Sequence, residues 1–308
     1  MSLPKKWVVK NRLRRGDTVG LEESRSGPLL VYPKDVSSIE EDRCVSLKAV
    51  SQDPRAVIRE VTAAYLMGYN MVNVVGEKSQ VAKLKHYLRE SVHGLLGLEV
   101  VAEEPTSLTL QFLLDLDALP PDKLYRRMNT LARSMYLDAL EAACNDDHDA
   151  LEDVMRRDEE INRLFFLMVR LLRSALVDTR VATRAGLTNV QCLDYRLASH
   201  HVELLADHSY ALAGFLKPML PLDDVLSSRL KSVSTQLSEL HDAATAYFLG
   251  SKGADYPSFL TKAGEVESLL GSLKEDPRAS RVADRLEDIR RLLVDIADLA
   301  GSLYPYVK

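Results

Sequence analysis

Cysteine is scarce in this 308-residue chain. Cys44, Cys144 and Cys192 are far apart, odd in number and form no CxxC pair. That excludes a disulfide framework and a cysteine zinc site, and it reads as reduced, intracellular thiols. Long apolar runs are missing as well. The best candidate, "LFFLMVRLL", is cut by Arg170, so no membrane-spanning helix is expected. No signal-peptide core follows the first charges, and a cytoplasmic protein is the expectation. The chain also lacks HExxH, a Walker loop, GxGxxG and a GxSxG elbow; the glycines of "LGSKGAD" match none of these. The absence of enzyme motifs favours a non-enzyme.

Apolar residues make up 46% of the chain, enough for sizeable cores, and the length suits two or three domains. The formal net charge of −5 argues against a protein that coats nucleic acid throughout, but leaves room for a local basic patch. Such a patch opens the chain. Lys5, Lys6, Lys10, Arg12, Arg14 and Arg15 stand among the first 15 residues, with no acid between them. Clustered Lys and Arg supply contacts to nucleic-acid phosphates, although a solvated face is the commoner use of such charges.

The pattern divides the chain into three parts. Residues 1–36 read as a short helix beginning near Pro4, a glycine turn at "RRGD" and two strands, "TVGLEE" and "PLLVYP". Residues 40–116 read as β-α-β-α-β-β, a small α/β module ending in a hairpin across Pro105. From about 120 onward the pattern is helical, with six segments near 120–144, 148–178, 189–217, 221–249, 257–273 and 278–304. Apolar residues recur there at three- and four-residue spacing, as in Leu164, Met168, Leu171 and Leu172. Long helices with short connections pack as antiparallel bundles. The segment "LAGFLKP" at Leu212 returns as "LAGSLYP" at Leu299, 87 residues later. That offset fits two tandem three-helix bundles, 120–218 and 219–308.

The chemistry-bearing stretch is "HHVELLADHSYALA". On a helix, His200, Glu203, Asp207 and Tyr210 share a face. Glu203 and Asp207, four residues apart, repel if both ionise in a dry place. A cation would remove that cost, and carboxylate oxygens suit hard or borderline metals. The second helix of this bundle carries "RRDEEINRL", whose Asp158 could add a carboxylate, with Asn162 one turn on. Spacing alone favours the alternative, a solvated acidic face.

"SLPKKWV", "LRRGDTV" and the closing strand "PLLVYP" resemble the SpoVT/AbrB-type DNA-binding domain, a dimer of swapped hairpins. That family's pattern begins with a basic strand; here Met1 stands where the strand should end, so a partial domain is expected. "RLASHHVELLADHSYALAGFL" and "RRDEEINRL" resemble PhoU, the regulator of phosphate uptake built from two three-helix bundles. The whole arrangement resembles the archaeal PhoU-like regulators.

The resemblance implies a mainly α fold and a non-enzymatic regulator of phosphate uptake and phosphate-responsive transcription. It implies a metal ion, iron, zinc or another divalent cation, at Asp158, Asn162, Glu203 and Asp207. It further implies DNA contacts from Lys5, Lys6, Arg12, Arg14 and Arg15, a homodimer, and a phosphate-transporter subunit or signalling protein as partner. The second bundle departs from the pattern. In one register the paired carboxylates become Glu287 and Arg291, in the other Arg290 and Val294, with Glu265 and Glu267 on the preceding helix. At most one metal site is expected, and an arginine there could replace a cation electrostatically.

Overall fold

The computed structural model describes residues 2–23, 29–33, 43–49, 53–116 and 119–300. It divides into two compact units, Met1–Val92 with Gly97–Leu114, and His93–Leu96 with Asp115–Lys308.

The first unit opens with helix α1 (Lys5–Lys10). Pro4 sits at its N-cap in extended conformation, one position before the first turn. Asn11 closes the helix, its amide donating to the Trp7 carbonyl at 2.8 Å. Gly16, at φ +98°, makes the turn that leads into β1 (Val19–Glu23), which pairs antiparallel with β2 (Leu29–Pro33). The β-α-β-α-β-β order expected downstream is present as β3 (Cys44–Lys48), α2 (Pro54–Leu66), β4 (Met71–Val75), α3 (Lys78–Val92), β5 (Leu98–Glu103) and β6 (Ser107–Phe112). The strands form one sheet in the order β3-β4-β6-β5, with only β3 and β4 parallel. Val72, Val74, Leu108 and Leu110 are buried at alternate positions, so their shared face is the core face and their neighbours face outward.

The second unit is helical. Its elements are α4 (Pro121–Cys144), α5 (His148–Val177), α6 (Thr179–Ala185), α7 (Asn189–Leu216), α8 (Asp224–Phe248), α9 (Tyr256–Lys274) and α10 (Ser280–Asp298). The protein is thus mainly helical with a small β-containing N-terminal region, as the sequence pattern predicts. One difference is α6. The sequence pattern leaves residues 179–183 unassigned between two helices, whereas Asp178 turns extended, ends α5 and caps a new short helix by accepting from the Arg180 N–H. The last expected segment runs to 304; α10 ends at Asp298, and residues 301–308 lie outside the described residues.

Side-chain caps set the helix starts. Asp147 accepts from Ala150 N–H at 2.9 Å to begin α5, and Thr188 and Gln191 form a reciprocal capping box at α7. Helices α4, α5 and α7 pack against one another, and so do α8, α9 and α10. The two sets meet along α7 against α10 and α4 against α8. The α4–α8 seam is polar at its centre. Asn129 donates to Thr245 Oγ1 at 2.6 Å, Arg133 pairs with Asp242 at 2.9 Å, and the Tyr136 hydroxyl meets His241 Nδ1 at 2.9 Å. Where α7 faces α10, His208 Nδ1 lies 3.6 Å from Asp288 and 3.2 Å from Arg285.

Candidate functional site

The helices α5 and α7 run side by side and bring the expected carboxylates to one place. Asp158 on α5 and Glu203 on α7 are half-buried, and Asp207, one turn beyond Glu203, is exposed. Asp158 and Glu203 both lie close enough to Asp207 to feel its charge. Burial raises the Asp158 carboxyl above its ordinary range, and the charge of Asp207 raises it further; a hydrogen bond from Asn162 works the other way. Burial also raises Glu203, followed by repulsion from Asp207 and, more weakly, Asp158, while His200 opposes the rise. Burial and mutual repulsion are offset only in part by His200 and Asn162, a condition a cation would relieve.

Neighbouring side chains hold the cluster in place. Asn162 Nδ2 donates to Asp158 Oδ2 at 3.1 Å, one turn along the same helix, so this amide orients the carboxylate. His200 Nδ1 lies 3.2 Å from Glu203 Oε2, and its ring stacks on Phe165 at 5.9 Å. Arg196 lies over the same Phe165 ring, 4.9 Å from its centre. Tyr210, expected on this face, is exposed. The donor chemistry suits a hard cation. The spacing is open, however: among the described residues no three His, Cys, Asp or Glu side chains converge closely enough to enclose a metal ion.

The second bundle resolves its charges differently. Glu287 on α10 is gripped by Arg290 through two bonds of 2.7 Å and by Arg291 at 2.8 Å. Burial alone would raise Glu287, but the two guanidiniums outweigh it and hold the carboxyl below its ordinary range. Arg290 is itself buried, with Glu267 3.9 Å away. An arginine therefore occupies the electrostatic place of a cation here, under either register. Glu265 is exposed and Val294 partly so.

At the N-terminus, Lys5, Lys6, Arg12, Arg14 and Arg15 are all exposed. Lys5 and Lys6 sit on α1, and the arginines sit on the turn that Asp17 braces by accepting from Arg14 N–H at 2.7 Å. Two of the cysteines are poor candidates for chemistry: burial pushes the Cys192 thiol up to about 11 and raises Cys144 as well.

Sequence reasoning missed several residues that complete these sites. Phe165 and Arg196 lie beside His200 and Glu203, and the Tyr136–His241 pair lies in the seam. Arg196 could have been found by extending the α7 face two turns back from Glu203, and Phe165 by extending the α5 face two turns on from Asp158. Tyr136 and His241 are 105 residues apart and carry no such signal.

Comparison with known families finds a match within the helical unit. Residues 125–215 match the PhoU domain, a span that runs from the second turn of α4 to the last turn of α7 and contains Asp158, Asn162, Glu203 and Asp207. Comparison with curated proteins gives no match. None is found among solved structures. The PhoU domain points to a role in regulating phosphate uptake, and PhoU proteins act as regulators. Among the described residues no helix is long and apolar enough to cross a membrane.

Proposed function

We propose that this protein is a non-enzymatic, phosphate-responsive regulator that acts through contacts made by its helical bundles. The observation that supports this most is the coincidence of the PhoU match with the clustered carboxylates of α5 and α7, whose ionisation burial and mutual repulsion oppose. Asp158, Glu203 and Asp207 would hold a divalent cation there, with Asn162 orienting Asp158. Bound, the cation would neutralise the cluster and draw α5 and α7 together. In the second bundle Arg290 and Arg291 perform that neutralisation permanently, so a single cation per chain is the proposal.

The partner of the bundles is a phosphate-transporter subunit or a signalling protein. Lys5, Lys6, Arg12, Arg14 and Arg15 would carry the signal to DNA by contacting phosphates, with two copies of the chain assembled on the duplex. A second reading, an adaptor with no DNA role, is favoured by the acidic formal net charge of the chain, −5. Duplex binding separates the two readings. A phosphate-contacting surface binds more weakly as salt rises, and replacing Arg14 and Arg15 by Ala flattens that dependence; no binding at low salt selects the adaptor. The regulatory role itself is tested by deleting the gene and measuring phosphate uptake with phosphate abundant. Uptake should stay high in the deletion and fall when the wild-type gene is returned. Uptake indistinguishable from wild type would overturn the proposal.

A further inference from the structure

A groove of about 390 Å³ runs along the contact of α4 and α5, lined by Arg126, Arg127, Thr130, Leu131, Ser134 and Glu160. Arg126, Thr130 and Ser134 follow at four-residue spacing and form one row along α4. Arg127 and Leu131 form the next row, and Glu160 enters from α5. Two guanidiniums therefore reach one groove, and Glu160 is the single acid among its lining residues. Its carboxylate pairs with Arg127 at 2.9 Å. Arg126 has no hydrogen bond or ion pair among the described residues, and neither has the Thr130 hydroxyl. Ser134 is engaged, its hydroxyl donating to the Leu131 carbonyl at 2.9 Å. One turn on from Glu160, the half-buried Arg163 adds positive charge to the α5 side, and its Nε has no hydrogen-bond partner.

A guanidinium without a counter-charge, beside a free hydroxyl donor, is suited to an oxyanion, because the planar fork offers paired N–H donors. A monovalent ligand gains little here, since Glu160 already gives Arg127 one negative charge. A phosphate monoester carries close to two charges and three terminal oxygens near neutral pH, enough to engage both arginines at once. The groove also has the size of a small-molecule site, about 300–1,000 Å³, rather than of a bare ion. Leu131 and the arginine stems supply an apolar wall for an organic group. We propose that the α4–α5 groove binds a small phosphate monoester. Arg126 and Arg127 hold the phosphate oxygens, Thr130 donates a third hydrogen bond, and the organic group lies along Leu131. Glu160 is an internal competitor that holds Arg127 until the ester takes it. The groove shares no residue with the carboxylates proposed to hold a cation.

Calorimetric titration of the full, metal-free chain tests this, with phenyl phosphate as the probe and inorganic phosphate and phenol beside it. Removing metal first separates the outcome from the cation reading, so either can fail alone. Phenyl phosphate should bind once per chain and more tightly than inorganic phosphate, and phenol should not bind. Arg126, Arg127 and Glu160 are all exposed, so their substitution leaves folding intact. Arg126→Ala and Arg127→Ala should each weaken phenyl phosphate binding about 10-fold, the loss of one charge-assisted contact. Glu160→Gln frees Arg127 and should tighten binding about 5-fold, which a purely structural ion pair would not do. Lys83→Ala, an exposed cation in the first unit, should leave the affinity unchanged. The inference is overturned by no binding of phenyl phosphate, by inorganic phosphate binding as tightly as the ester, by Lys83→Ala weakening binding as much as Arg126→Ala, or by Glu160→Gln weakening it.

Discussion

The buried pair in the α4–α8 seam makes the helical unit sensitive to acid. His241 is completely buried, and burial, reinforced by the charge of Arg133, pushes its pKa down to about 3 from 6.5. Tyr136 meets Nδ1, and Nε2 is buried with no hydrogen-bond partner, so a proton gained there would not be solvated. The folded-state pKa is depressed, so between pH 6.5 and pH 3 the unfolded chain binds a proton that the folded chain refuses. Stability from this group is therefore full above pH 6.5 and is lost as the pH falls. At about 1.4 kcal/mol per pH unit, the loss between pH 7 and pH 5 is about 2 kcal/mol.

The perturbation that isolates it is Tyr136→Phe with His241→Leu, which removes both polar groups and leaves neither partner stranded. Urea unfolding followed by far-ultraviolet circular dichroism is the assay, because the single tryptophan, Trp7, lies outside the helical unit. The wild type should lose about 2 kcal/mol relative to the variant on going from pH 7 to pH 5. Parallel pH dependence of the two proteins would refute the argument.

Two further outcomes follow from packing and charge. Gly97 has φ +81°, and a Cβ there would lie 2.5 Å from Leu114 Cγ and 2.9 Å from Phe112, so Gly97→Ala should cost about 2–3 kcal/mol of stability in urea unfolding. Arg290→Ala leaves the half-buried Glu287 with Arg291 as its remaining close cation and should destabilise the helical unit by about 1–2 kcal/mol at pH 7. The folded-state pKa of Glu287 is depressed, so this cost is present above the unfolded value and shrinks as the pH falls below about 4.

Helix positions were legible because each long helix carries its own apolar period and its own cap. Asp147, Thr188 and Asp223 stand where α5, α7 and α8 begin, and all three accept from a backbone N–H. The same kind of signal at Asp178, followed by Thr179 and Arg180, announces α6, but it is masked because the apolar period runs unbroken up to Val177. The carboxylate face was legible from the spacing of Glu203 and Asp207 within one helix. Its relation to Asp158 was not, since that depends on the register of α5 against α7. The fate of the second bundle shows the same limit. Sequence places Arg290 and Arg291 near Glu287, and only packing shows that both guanidiniums close on it. The seam residues Asn129, Tyr136, His241 and Thr245 were invisible for a simpler reason. Each is one polar residue on a core-facing stripe, and its partner lies on another helix more than 100 residues away.

The central claim, that the α5–α7 carboxylates form the chain's one cation site, is tested most directly by the metal content of the protein purified without chelator. The account predicts one divalent ion per chain, lost in Glu203→Ala/Asp207→Ala and unchanged in Glu287→Ala. Two ions per chain, or a metal content indifferent to Glu203 and Asp207, would contradict it.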